Sequence, residues 1–287
     1  MRNTLAGVGF LFVMAATGPA AMASTQDVQA QVAQVRKLYE VRTTDGSRYY
    51  GYLESETPER VVIRTPGGAT IDLARSDILS MAETEGTVVG QEFRPADSNP
   101  TRLFFGPTAR NLKKGEGYVG TFFYFMPTVQ VGITDRLSIG GGTPLVFGGG
   151  DLPIWVTPKW QVYDSPRAAV AVGALHFLNI DDLSMGIAYA AGTLGSRDDA
   201  VTVGVGWAYA SNDDNDEGAA VAMIGGERRA SRRLKWITEN YLWKGGGFVS
   251  GGVRFLGESL TADLGLVAPL SSDGFFAFPV MNFVWRF

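Results

Sequence analysis

Residues 275–287 read Phe-Phe-Ala-Phe-Pro-Val-Met-Asn-Phe-Val-Trp-Arg-Phe. Successive strand side chains point to opposite faces. Met281, Phe283, Trp285 and Phe287 therefore share one face, and Asn282, Val284 and Arg286 the other. So aromatic a strand is a poor terminus in water, where chain ends fray. It suits a transmembrane β-barrel, whose outward face meets lipid. A final edge strand of a soluble sandwich is the alternative reading.

The same alternation recurs upstream in segments separated by turn residues. Strands are expected over 117–126, 127–134, 137–143, 152–163, 168–178, 183–192, 200–210, 219–226, 234–243, 247–256, 260–268 and 275–287. The expected fold is all-β: an antiparallel transmembrane barrel of about twelve strands over 117–287. Large apolar residues are expected to face lipid and small or polar ones the lumen. This puts Val201, Val203, Val205, Trp207 and Tyr209 outside, together with Leu183, Met185, Ile187 and Tyr189. A soluble sandwich gives the same dyad with its apolar face inward. Trp207, Tyr209, Trp236, Trp243, Trp285 and Tyr163 discriminate, because they lie near strand ends, where interfacial girdles sit.

The composition agrees. The chain has 287 residues, 45% hydrophobic, with 37 Gly and a net charge of −4. That is too polar for a bundle of membrane helices and suits a barrel, where only alternate residues meet lipid. The absence of Cys excludes disulfides, thiol chemistry and a lipoprotein anchor. Mild acidity gives no sign of nucleic-acid binding. Residues 1–23 read as a secretory signal peptide: a basic start at Arg2, an apolar core from Leu5 to Ala16, and Ala21-Met22-Ala23 before Ser24.

Phe283, Trp285 and Phe287 resemble the closing signature of bacterial outer-membrane proteins. The resemblance implies an outer-membrane location. It also implies that barrel-insertion machinery reads the terminal aromatic, with outer-membrane lipid as the surrounding partner.

Residues 24–38 read as a flexible lead-in and 39–81 as a small β module. The module has five short strands with turns at Asp45-Gly46 and Pro66-Gly67-Gly68. This order resembles Sm-like and SH3-like barrels, which implies the fold and no ligand. The expected location is the periplasm, with a periplasmic protein or the cell wall as partner. Residues 82–116 read as a linker and pre-barrel segment. Within it, 103–109 is expected not to span but to lie near the barrel mouth or plug it, because a thirteenth spanning strand would put the module outside.

The lumen-facing candidates are Lys159, Gln161, Lys235, Glu239, Arg254, Asp263 and Arg286. They carry both signs, so they either line a hydrated path or pair across the lumen. A barrel of about twelve strands lies between filled small barrels and open porins. The leading functional expectation is a narrow passive channel for small solutes. The alternatives are a non-conducting structural or docking protein and, ranked last, a surface lipid hydrolase. The one His, His176, with Ser184 and Asn179 nearby, forms no recognised triad. No catalytic residue, metal site or cofactor is expected. The run 227–233 reads as a basic turn on the periplasmic side.

Overall fold

The computed structural model describes residues 37–84, 86–145, 153–178, 183–212, 215–257, 259–270 and 276–287. The signal peptide, most of the lead-in, Asn179 and the turn at 271–274 lie outside them.

Five strands, β1 (Leu38–Thr43), β2 (Arg48–Glu56), β3 (Arg60–Arg64), β4 (Thr70–Ala74) and β5 (Ile78–Glu83), form an antiparallel sheet in the order β4-β3-β2-β1-β5. Val41, Val61 and Ile63 make its core, with Tyr49, Leu53, Ile71, Leu73, Ile78 and Met81 around them. The stretch read as linker and pre-barrel segment then folds twice. First comes a hairpin, β6 (Gly86–Val89) and β7 (Glu92–Pro95), turned at Gly90, whose φ of 63° suits glycine. Phe93 of this hairpin stacks on Tyr50 at 4.6 Å. The second folded piece lies inside the barrel and is described below.

The barrel strands are β8 (Gly117–Phe122), β9 (Met126–Gly132), β10 (Leu137–Gly142), β11 (Ile154–Val156), β12 (Lys159–Asp164), β13 (Ala168–Leu178), β14 (Ser184–Gly195), β15 (Asp199–Ser211), β16 (Asp216–Ser231), β17 (Leu234–Trp243), β18 (Gly246–Leu256), β19 (Leu260–Pro269) and β20 (Phe278–Arg286). β11 and β12 are two pieces of one stave, interrupted at Thr157-Pro158, so the thirteen-stranded sheet has twelve staves. Every pairing is antiparallel, and β20 closes on β8 with Trp285 opposite Val119. Phe287 and Gly117 exchange backbone hydrogen bonds at 3.0 and 3.3 Å, so the last residue helps to seal the seam. A closed sheet leaves no edge to aggregate or to meet lipid unpaired. The end that carries Phe287 is called the base here, and the opposite end the mouth.

Several sequence expectations change. The first turn lies at 123–125, ahead of the Met126-Pro127 step, with Phe123 and Tyr124 at φ of 50° and 63°. The basic run 227–233 is no loop. β16 continues to Ser231, so Glu227 and Arg229 are buried while Arg228 is exposed, and the turn shrinks to two residues. Strand β14 has the reverse of the expected faces. Tyr189 pairs with Gly173 and Gly206 and packs in the interior against the alanine cluster that includes Ala109. Ile187 lies against Gly206, where an added Cβ would stand 2.9 Å from its Cδ1. The rule that large means outside fails here because both neighbouring strands offer glycine on the inner face. Trp243 is likewise inward, packed edge-on against Phe248 at 5.2 Å, so it belongs to no girdle.

The outer face is apolar. Val205 is 66% exposed and Leu266 58%, with Trp160, Trp207, Trp236 and Trp285 also open.

Left-handed backbone is costly for a bulky side chain. Tyr124 is exposed, so Tyr124→Asn should raise stability by about 0.5–1 kcal/mol. The measurement is the urea midpoint of the refolded barrel; an unchanged or lowered midpoint contradicts the turn geometry.

Candidate functional site

The lumen is occupied by the chain itself. Residues 97–112 enter at the base and fold into a tight loop. Leu103 donates to the Gly106 carbonyl at 2.9 Å, and Thr108 to the Thr101 carbonyl at 3.0 Å. Leu103, Phe104, Ala109 and Leu112 are buried. Partners come from strands all around the circle, which places the loop inside.

The inward charges hold this plug. Arg254 is fully buried and uses its whole guanidinium fork. Its Nε and Nη2 donate to the two Asp263 oxygens at 2.7 and 2.9 Å. Nη2 also reaches the Leu103 carbonyl at 2.6 Å, and Nη1 donates to the Asn99 carbonyl at 2.6 Å and to Asp97 at 3.2 Å. Lys235, also fully buried, lies 2.9 Å from Asp97 and 2.7 Å from Glu227. Asp97 is therefore the plug's anion between two wall cations, and Arg110 is its cation against Glu227.

Lys159 donates to the Arg110 carbonyl at 2.6 Å and to the Thr101 and Thr108 carbonyls at longer range. Gln161 donates to the Ala109 carbonyl at 3.0 Å. Glu239 accepts from the Phe105 amide at 3.0 Å and from the Tyr241 hydroxyl at 2.9 Å. Arg286 sits at the base rim, 2.6 Å from Glu116. Glycines make room for the loop: a Cβ on Gly106 would meet Met223 Sδ and the Tyr241 oxygen at 2.5 Å, and one on Gly265 the Phe104 ring at 2.9 Å.

Other members of this network were not singled out from sequence. Asp97, Asn99 and Arg102 belong to the stretch read as linker and pre-barrel segment. Arg102 donates to the Tyr118 hydroxyl at 2.8 Å and to Gln130 at 3.0 Å. Asn282, opposite Asp263 on β20, donates to the Phe104 carbonyl at 2.8 Å. The available signal was cross-strand: Lys235 opposite Arg254 opposite Asp263 opposite Asn282 makes one inward polar row.

Phe283, Trp285 and Phe287 are exposed on the outer face at the base. His176 also faces outward. Its Nδ1 lies 2.8 Å from the Tyr209 hydroxyl, across Gly186. Ser184 is exposed at the mouth end of β14. Among the described residues, no group of three or more His, Cys, Asp or Glu side chains could hold a metal ion.

No family model matches the chain, and no curated protein does. Among solved structures it is similar to the NanC porin, at 7% identity and a TM-score of 0.41 over 60% of this chain and 97% of that one. It is also similar to a loop L8 deletion mutant of OmpT, an outer membrane protein of Vibrio cholerae, at 10% identity and a TM-score of 0.38 over 88% and 96%. At these scores the architecture rests on the strand pairing described above.

Burial acts to raise the Asp97 carboxyl, but Lys235 and Arg254 outweigh it and hold it below the usual carboxylate range. A depressed pKa contributes stability above the unfolded value of about 3.9, lost as pH falls through the folded value. A nitroxide on Pro107→Cys, in a chain otherwise free of Cys, reports plug motion. Its spectrum should stay immobilised from pH 8 to about pH 5 and loosen only in stronger acid. At neutral pH, Asp97→Ala should mobilise it, because unpairing buried cations costs about 3–5 kcal/mol. A label mobile in the unsubstituted background contradicts the seated plug.

Proposed function

We propose that this chain is a bacterial outer-membrane β-barrel kept shut by its own residues 97–112, with its base toward the periplasm. The Arg254 cluster carries the reading, since one fully buried guanidinium joins the wall at Asp263 to the plug at Asp97. The apolar outer face and the aromatics Tyr163, Trp236 and Trp285 near the base support the membrane setting. A passive solute channel would require the plug to leave. Lys159, Lys235 and Arg254 would then lose partners they have while fully or almost fully buried. The sealed state fits a non-conducting barrel better.

The five-stranded sheet extends this reading as an Sm-like or SH3-like module in the periplasm. The sheet touches the base through Tyr50, and the hairpin β6–β7 through Thr87 and Pro95. Arg232 lies over the Tyr50 ring at 5.2 Å, Thr87 donates to Asp198 at 3.1 Å, and Arg229 donates to the Pro95 carbonyl at 2.7 Å. Docking of a periplasmic protein or of cell wall would use its edge strand β5, where Leu79 stands 71% exposed. A hydrolase reading through His176 has less support, because its ring is committed to Tyr209 on the outer face.

Planar-bilayer recording tests the proposal. The full chain should give no steady ohmic conductance. A variant with 97–112 replaced by a Gly-Ser linker of equal length should conduct. Stable conductance from the full chain sinks the sealed-barrel reading.

A further inference from the structure

Above the plug, the inner wall changes character. Inward charges gather at the level of the plug and below it. Between Gly106 and the mouth, the described inward side chains carry no charge until Glu217 at the rim of β16. What they carry instead is apolar and aromatic. Trp155 and Phe177 meet edge-on at 6.1 Å on one wall. Trp243, Phe248 and Phe278 form a chain of ring contacts at 5.2 and 6.5 Å on another. Ile187 lies on a third, over Gly206.

Register fixes their direction. Phe177 pairs with Trp155 and Met185, Trp243 with Gly246, and Phe278 with Val267, all in phase with the inward polar row below. Phe177, Ile187, Trp243, Phe248 and Phe278 are only partly buried, so this apolar surface is not wholly consumed by packing against itself.

Glu217 lies six residues beyond Met223, which stands against Gly106. At about 3.3 Å per residue and a tilt of about 40°, the cup is roughly 15 Å deep. A water-filled barrel interior is polar. An apolar wall over a closed floor is the lining of a ligand pocket, here open on one side, where β8 stops at Phe122 and β20 pairs with it only from Phe283 on.

We infer that the upper lumen is a dead-end binding cup for a single hydrocarbon chain, entering tail-first from the mouth, its head group left at the rim. The inference rests on the sealed-barrel reading, since the plug supplies the floor. A tail is favoured over a polar solute on two counts. No charged side chain waits inside the cup to bind a head group. The polar groups of the floor are already spent, with Glu239 bonded to Phe105 and Tyr241.

Native mass spectrometry of the full chain, released from detergent after incubation with palmitate or with hexadecanol, tests this. Both probes should give an adduct of one molecule per chain. Ala208→Trp fills the cup from β15, and Ile187→Lys places a charge in it. Each should lower adduct occupancy about tenfold or more while the barrel stays heat-modifiable. Val205→Trp, on the outer face of the same strand, should leave occupancy unchanged. Binding of palmitate alone would mean that the carboxylate is recognised, and would overturn tail-only binding. Equal occupancy in a folded cup variant would place the probe outside the barrel and overturn the cup. If one variant fails to fold, the other decides. Conductance of the same preparation separates the two claims: a conducting wild type removes the floor, whereas a closed wild type without adduct removes only the cup.

Discussion

A fully buried guanidinium, Arg254, is the constraint on which the rest of this structure depends. Taking a charge out of water costs several kcal/mol and is recovered only with partners on every side. Asp263 supplies the wall half of those partners, and Asp97 with the Asn99, Arg102 and Leu103 carbonyls the plug half. Neither half suffices alone. The wall and residues 97–112 therefore hold each other through shared buried charges. Lys235 and Lys159 repeat the pattern, each a buried amine held by plug groups.

That constraint divides the lumen. Polar rows are needed only where the plug must be held, so the strands are free to turn apolar above it. The division runs along single strands. β17 presents Lys235 and Glu239 below and Trp243 above; β18 presents Arg254 below and Phe248 above. The sealed base and the apolar mouth are thus two results of one arrangement, with the Phe104-Phe105 tip between them. Phe105 meets Phe122 at 5.7 Å, joining the plug to the apolar region.

Much of the architecture was legible from period-two alternation. The twelve staves, their order and most of their bounds follow from it, because one face of each strand must differ from the other. Lys159, Gln161, Lys235, Glu239 and Arg254 stand out as charged or polar positions in phase with small residues. The faces of β14 were not legible, because the alternation says only that two faces differ. Which one is inward depends on the opposed Gly173 and Gly206, a cross-strand relation that no single segment contains. The plug was half legible. Its failure to span followed from parity, but its anchor Asp97 lies in a polar stretch that reads as linker until Lys235 and Arg254 are placed opposite it. The short turn after β16 was hidden for a related reason: a run of four arginines looks like a loop until Arg229 is seen to alternate inward beside Glu227.

The central claim is that residues 97–112 occupy the barrel interior. Ala109 of the plug and Ala191 of β14 belong to one buried cluster, and the Ala109 amide donates to Thr193 Oγ1, two residues along β14, at 2.9 Å. The direct measurement is disulfide formation in Ala109→Cys/Ala191→Cys, made in a chain with no other cysteine. The pair is expected to oxidise within the folded protein and to give a band shift reversed by reductant. Two free thiols in a folded barrel under the same oxidant, both open to alkylation, would contradict it.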